Sequence, residues 1–340
     1  MAYQSGEIYF IREQDGSTLS PYVKIGLVRY ADGRDSFNRV VEHQTGNPRR
    51  LVLTPDHIVK TEAVDMVEAQ MHRIFAASRV SGEWFFFDAD QDVQVALAKA
   101  RELAADAAQR VPLFDQASAF EKQLSSGDLI AATPELARIA NRLAMQKGIV
   151  KIASGLLDDI QEKLRFAAES GADVSGVAKT VIRTLKPKLD EEAVKAAHPE
   201  LYEKYLVEVT KFSGSFLLKA KGLDIDADLA HVLSELSKLD VQIESVTEHA
   251  DIAMLNEPSL AVRSIKGIAE WEADLLKAEL QIATGTTPGI EGLCTWNRVN
   301  KTTSQFDAAT FADENPDIAK QHMIVREPKT YINPTHTKAE

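Results

Sequence analysis

Residues 7–26, EIYFIREQDGSTLSPYVKIG, decide how the first part of the chain folds. EIYFIR (7–12) and PYVKIG (21–26) are rich in β-branched and aromatic residues, and EQDGSTLS between them is full of turn formers. That combination predicts a β-hairpin with a longish loop. Working outward, Ser36 to His43 has helical spacing, with Phe37, Val40 and Val41 on one face, and TGNP (45–48) ends it. RLVLTPDHIV (50–59) predicts a third strand, with Pro55 marking an edge position or a bulge. Ala63, Met66, Val67, Met71, Ile74 and Phe75 keep helical spacing over 61–77. GEWFFF (82–87) predicts a terminal strand or a buried loop. The order β-β-α-β-α-β makes a compact α+β unit over residues 1–90.

After Asp88 the pattern changes. Residues 92–108 are alanine-rich and helical, and Arg110-Val111-Pro112 is the expected linker, so 91–112 is assigned as a connecting helix and linker. Residues 113–284 are expected to be almost entirely helical, with breaks at points such as Thr133-Pro134, Gly222–Asp224 and Glu257-Pro258. Two long amphipathic stretches, 149–169 and 260–284, are expected to pack on each other or on a partner. From Gly285 glycine, proline and threonine return. The tail, 285–340, predicts one or two strands, short helices at 308–312 and 317–322, and disorder from Pro334 onward.

A chain of 340 residues exceeds one typical domain, so two or three are expected. Its net charge of −12 argues against a protein that coats nucleic acid without preference. The average hides a basic stretch: Val23 to Arg50 holds Lys24, Arg29, Arg34, Arg39, Arg49 and Arg50 against only Asp32, Asp35 and Glu42. A phosphate-binding surface is therefore expected in the first unit. Residues 113–340 are more acidic and are expected to meet a protein partner or a second copy of the chain. Cys294 is the one cysteine, which excludes an internal disulfide and fits a reducing cytoplasm. The polar start gives no sign of a signal peptide, and no apolar run approaches the ~20 residues of a membrane span.

Several chemically able residues fall in the first unit. Tyr9 lies in the first predicted strand and Lys24 in the second, which a hairpin sets side by side. Arg39 is on the following helix. Glu68 precedes His72 by one helical turn, so carboxylate and imidazole share a face. A phenol, an amine, a guanidinium and a carboxylate can together deprotonate water, neutralise a phosphate and hold a divalent metal. Each also has an ordinary reading: Tyr9 as a core tyrosine, Lys24 as a solvated lysine, Arg39 and Glu68 as surface helix charges.

The blocks EIYFIR, VKIG, RVVEHQTGNPRRL and AVDMVEAQMHRIFAASRVSGEWF occur in an order that resembles the GIY-YIG nuclease superfamily, and its phage T5-type branch in particular, over about residues 6–88. The resemblance implies a small α+β fold with a three-stranded antiparallel sheet flanked by helices. It implies an endonuclease that hydrolyses DNA phosphodiesters with magnesium or manganese, of phage, prophage or anti-phage origin. Tyr9 would deprotonate or orient the attacking water. Lys24 stands where many members carry a tyrosine, and its ammonium would lower the phenol's pKa. Arg39 would bind the scissile phosphate. Glu68 would be the single metal-binding carboxylate. His72 would touch phosphate or metal. An asparagine found late in many such domains has no counterpart, and Glu83 is the nearest candidate.

A shorter resemblance lies at the end. LKAELQIATGTTPGIEGLCTWNRVNKTTSQFD is similar to the tail of YqaJ-type phage exonucleases, with Asn297 where those carry lysine. It implies an accessory fold without a second active site; an ordinary capping hairpin with Trp296 and Phe306 in a core explains it equally. For the whole chain the leading expectation is a DNA endonuclease whose target or partner is chosen by residues 113–340. The alternative is a nuclease-derived DNA-binding or adaptor module. A restriction-type enzyme is a third reading, which needs base-reading elements that the sequence does not display.

Overall fold

The computed structural model describes residues 3–171, 178–219 and 255–334. Strand β1 (Gly6–Asp15) pairs antiparallel with β2 (Thr18–Arg29), with Tyr9 opposite Gly26 and Ile11 opposite Lys24. β1 lies inside the sheet and is buried on both faces, which is why IYFI (8–11) is a continuous apolar run with no polar alternation. Ile8, Phe10, Val23 and Ile25 face helix α2 (Val64–Ile74) and helix α3 (Asp90–Glu121), against Val64, Val67, Met71 and Leu97. On the other face Tyr9, Ile11 and Val28 pack with Leu51, Val40 and Trp84 beneath helix α1 (Ser36–Gln44). A capping box at Asp35 and Asn38 starts α1.

The predicted third strand is two short ones. β3 (Arg50–Val52) and β4 (Ile58–Thr61) both pair with β1, and a 3-10 turn begins at Pro55 between them. GEWFFF supplies the expected terminal strand, with a short partner strand before it that the sequence did not predict. β5 (Arg79–Ser81) and β6 (Trp84–Phe86) form a tight hairpin around Gly82, whose φ is 55°, and β6 pairs with β2. The sheet therefore has six strands and not three.

Arg110-Val111-Pro112 is not a linker. α3 runs unbroken through Pro112 because the apolar face of Val93, Leu97, Ala100, Leu103 and Ala107 is held in the first core, and that burial outweighs the hydrogen bond that the proline lacks. Helix α4 (Pro134–Glu169) packs along helix α7 (Asn256–Thr284), as the two amphipathic stretches suggest. Ala140 and Leu143 meet Leu276 and Leu280, Ile149 meets Ala269, and Ala153 meets Val262, so the pair is antiparallel. α7 also lies against α2 and α3.

The middle is less helical than its pattern suggests. Between α4 and α7 lie β7 (Ala178–Arg183), β8 (Lys188–Leu189), helices α5 (Glu191–Ala197) and α6 (Pro199–Lys204), β9 (Leu206–Ser213) and β10 (Leu217–Leu218). Their strand partners all come from the tail: β12 (Cys294–Thr295) with β10, β12 also pairing with β11 (Gly289–Ile290), β13 (Val299–Phe306) with β9, β14 (Met323–Ile324) with β8, and β15 (Lys329–Pro334) with β7. Short helices α8 (Ala308–Glu314) and α9 (Pro316–Gln321) sit among them. Boundaries at 112 and 284 therefore do not divide the fold, since backbone hydrogen bonds and core packing cross both. Pro334, expected in a disordered tail, ends β15; the expected break at Gly222–Asp224 and the last six residues lie outside the described residues.

Trp296 is buried and donates its indole N–H to Gly214 O at 3.0 Å. Arg298 is fully buried, stacks on Trp296 at 3.9 Å, and donates to Phe120 O and Gly285 O, both at 2.7 Å. It thus holds the C-terminal carbonyls of α3 and α7 together. Among the described residues no helix is long and apolar enough to cross a membrane.

Candidate active site

A cleft of about 330 Å³ opens at the end of the first sheet, lined by Tyr9 of β1, Arg29 of β2, Asp32 and Arg34 of the following loop, Arg39 of α1, Glu68 of α2 and Glu83 of the β5–β6 hairpin. Three of the five residues expected to act together, Tyr9, Arg39 and Glu68, share this space. Lys24 and His72 take different positions.

Gly26 lets Tyr9 reach the cleft. It stands directly across the ladder from Tyr9, and a Cβ there would lie 2.6 Å from the ring Cζ and closer still to the hydroxyl. The phenol ring therefore lies across bare backbone, which is a physical reason for glycine at the end of VKIG. Tyr9 is 1% exposed, and its hydroxyl is 3.3 Å from His43 Nε2 on the last turn of α1. Burial and the charge of Glu83 push the phenol up to about 12, against the opposing pull of Arg39. His43 moves the other way: burial, then Lys24 and Arg39, hold its imidazole below the ordinary value, so it is neutral at pH 7 and able to accept a proton.

The Tyr9 phenol is raised and not lowered, and Lys24 is turned to another partner. Its ammonium donates to Glu83 Oε2 at 2.6 Å, and that ion pair occupies it. Burial opposes the charge on Glu83, but the hydrogen bond and charge of Lys24 outweigh burial and hold the carboxyl below its usual range. Glu83 is thus a carboxylate fixed by Lys24 beside Tyr9. This chemistry differs from that of the asparagine it was matched with.

Glu68 is pushed up to about 7 by burial, then by Glu83 and Asp65, with Arg29 and Arg79 pulling the other way. A carboxyl in this state is a site where a divalent cation displaces a proton. The donors that line the cleft are carboxylate oxygens, which suits a hard cation. Among the described residues no three or more His, Cys, Asp or Glu side chains converge as a ready-made metal cage, so a cation here would rest on one carboxylate with water completing the shell.

Arg39 pairs with Glu42 one turn along α1 and also interacts with the Tyr9 hydroxyl. Arg34 pairs with the same Glu42 at 3.1 Å, and Arg29 pairs with Asp65. His72 lies outside this cleft. Its Nε2 donates to Ile25 O at 2.9 Å, and its ring lines a second cavity that α2 also borders. Sequence reasoning passed over His43 and the need for glycine at Gly26, and it counted Arg29 and Arg34 only in the basic stretch 23–50 without placing them in the cleft. For His43 the signal was its i, i+4 spacing from Arg39, which puts both on one helical face. No protein-family model, no curated protein and no solved structure matches the chain.

Proposed function

We propose that the chain is a metal-dependent endonuclease that hydrolyses DNA phosphodiesters in the cleft of Tyr9, Arg39 and Glu68. The observation that carries this reading is the convergence of those three side chains from β1, α1 and α2 in one cleft of about 330 Å³. A phenol, a guanidinium and a raised carboxyl within one basin are what hydrolysis of a phosphate ester requires.

In this reading Arg39 holds the scissile phosphate with its planar donors, exchanging its contact with Glu42 for the stronger anion. Tyr9 orients the attacking water. As the water oxygen bonds to phosphorus and the bond from phosphorus to the leaving sugar oxygen breaks, the water proton passes to the Tyr9 oxygen while the Tyr9 proton passes to His43 Nε2. The leaving oxygen takes a proton from solvent and His43 returns its own to solvent, so the buried phenol need not become a free phenolate. The Lys24–Glu83 pair fixes the hairpin edge of the basin and the charge beside Tyr9. Glu68 would hold the divalent cation, magnesium or manganese, which when bound supplies charge stabilisation at the phosphate and lowers the pKa of water. Residues 113–340 would direct the target or a partner.

The near-complete burial of Tyr9 favours a second reading, in which the cleft grips a phosphate without cutting it. One assay separates the two. Labelled single- and double-stranded DNA is incubated with the full chain, with magnesium and with a chelator, beside Glu68→Ala. Cleavage that needs magnesium and Glu68 supports the nuclease. Binding without cleavage in magnesium supports the second reading.

A further inference from the structure

The second cavity, about 390 Å³, lies between α2 and α7 and is lined by Arg73, Arg79, Arg263 and Lys266 with His72, against the single carboxylate Glu270. Its cations come from two distant parts of the chain. Arg73 is on α2 and Arg79 begins the β5–β6 hairpin, whereas Arg263 and Lys266 are on α7. Gly267 makes the meeting possible: a Cβ there would lie 2.5 Å from Arg73 Cδ, so the arginine stem lies across the bare backbone of α7.

These cations are poorly neutralised. Glu270 is 3.8 Å from both Arg73 and Lys266, which is too long for a hydrogen bond. The Nε of Arg263 is buried and has no hydrogen-bond partner. A buried guanidinium N–H without an acceptor is costly to the empty protein. An oxyanion in the cavity would supply that acceptor.

The cavity is next to the cleft. Ala69, which lines the cavity, follows Glu68 in sequence on α2, and Arg79, which also lines it, feels the charges of both Glu68 and Glu83. We propose that this cavity is a phosphate subsite for the nucleic-acid strand whose scissile phosphate lies at Arg39, with Arg263 and Lys266 as the α7 half of the clamp. The inference rests on the nuclease reading for the identity of the strand. The phosphate group itself is argued from the cavity alone.

The test uses the full chain with Glu68→Gln, so that nothing is cut, and compares it with the same chain carrying Arg263→Met and Lys266→Gln. Affinity for a labelled 12-nucleotide single strand and for a duplex is measured by fluorescence anisotropy across a salt series. Pyrophosphate binding is measured by calorimetry. Loss of two charged contacts should lower oligonucleotide affinity at least about tenfold and make the salt dependence shallower by roughly one to two in log–log slope. Arg263→Met alone should leave the melting temperature of the ligand-free chain unchanged or raise it, an outcome that a purely structural arginine would not give.

Unchanged oligonucleotide affinity and slope would overturn the subsite, even where the Glu68-intact chain cuts DNA and the nuclease reading stands. Pyrophosphate binding that the substitutions abolish, with oligonucleotide affinity unchanged, would assign the cavity to a free phosphate ligand and overturn its assignment to the strand. Conversely, loss of oligonucleotide affinity on these substitutions, where the Glu68-intact chain cuts no DNA in magnesium, would keep the subsite and overturn the catalytic reading.

Discussion

The carboxyl of Glu68, pushed up to about 7 by burial and by Glu83 and Asp65, takes either a proton or a divalent cation. Metal affinity should therefore fall about tenfold per pH unit below 7 and level off above it. The same shift governs the metal-free fold. Its unfolded value is near 4.5, so between that and about 7 the unfolded chain releases a proton that the folded chain keeps. Stability thus declines as pH rises through this window and is flat beyond it, by on the order of 1–3 kcal/mol once partial solvent screening of Glu68 is allowed for. Glu68→Gln should melt higher than wild type at pH 8 in chelator and gain nothing from magnesium; denaturation scans with and without metal check both. Tyr9→Phe should keep the fold and lose about 10²–10⁴ in cleavage rate. Gly26→Ala should lose activity too, since its methyl displaces the Tyr9 ring, at an overpacking cost of about 1–3 kcal/mol. Full cleavage by Gly26→Ala would show that the ring position is unimportant.

Elements with a strong local pattern were legible in the sequence, and with them the positions of Tyr9, Arg39 and Glu68. β1 announced itself by its apolar run, α2 by Val64, Val67 and Met71, and the α4–α7 pair by its long amphipathic faces. What escaped depended on contacts between distant segments. Nothing in VKIG or GEWF says that β6 lies beside β2, so the Lys24–Glu83 pair, 59 residues apart, was unreadable. β9, LVEVTKFS, is almost wholly exposed and shows no apolar alternation, so its pairing with β13 left no trace. Pro112 was misleading because proline usually ends a helix, while here the flanking turns are fixed by buried contacts on both sides. Arg110 is the chief of these. It is 4% exposed, donates to Trp271 O at 2.7 Å and Glu272 at 2.6 Å, and stacks on the Trp271 ring. Arg110→Met would leave Asp106 without its cation, Glu272 with only Arg142 at 3.8 Å, and Trp271 O without its side-chain donor. A loss of about 2–4 kcal/mol is expected in urea unfolding, below the full cost of a buried pair because both carboxylates are partly solvated. A loss under about 0.5 kcal/mol would mean that the α3–α7 crossing is held by apolar packing alone.

Across the whole molecule the first unit and the rest share buried contacts through α3 and α7, so they should unfold as one cooperative structure, and truncation tests this directly. Ending the chain at residue 112 cuts α3 in the middle and removes α7. Trp271 then no longer covers the first core, and its indole N–H, which donates to Asp106 at 2.6 Å, is lost with it. Arg110 loses both its carbonyl and its Glu272 partners, and a nearly buried guanidinium is opened to solvent. Arg73 loses the helix backbone against which its stem lies. Together these losses exceed about 3 kcal/mol, and for a unit of this size each kcal/mol moves the midpoint by roughly 4–8 °C. Fragment 1–112 should therefore melt on the order of 10 °C or more below the full chain, and it should bind exposed-surface dyes. Extending the fragment to 121 restores α3 but not α7, so it should recover little of the difference. Circular dichroism melts of 1–112, 1–121 and 1–340 at equal concentration decide the point. If 1–112 unfolds at the full-chain temperature with a sharp transition, the first unit is autonomous and α7 is only an attachment. If it melts low, the helix that supplies Arg263 and Lys266 is also required to hold α2, and Glu68 with it, in place.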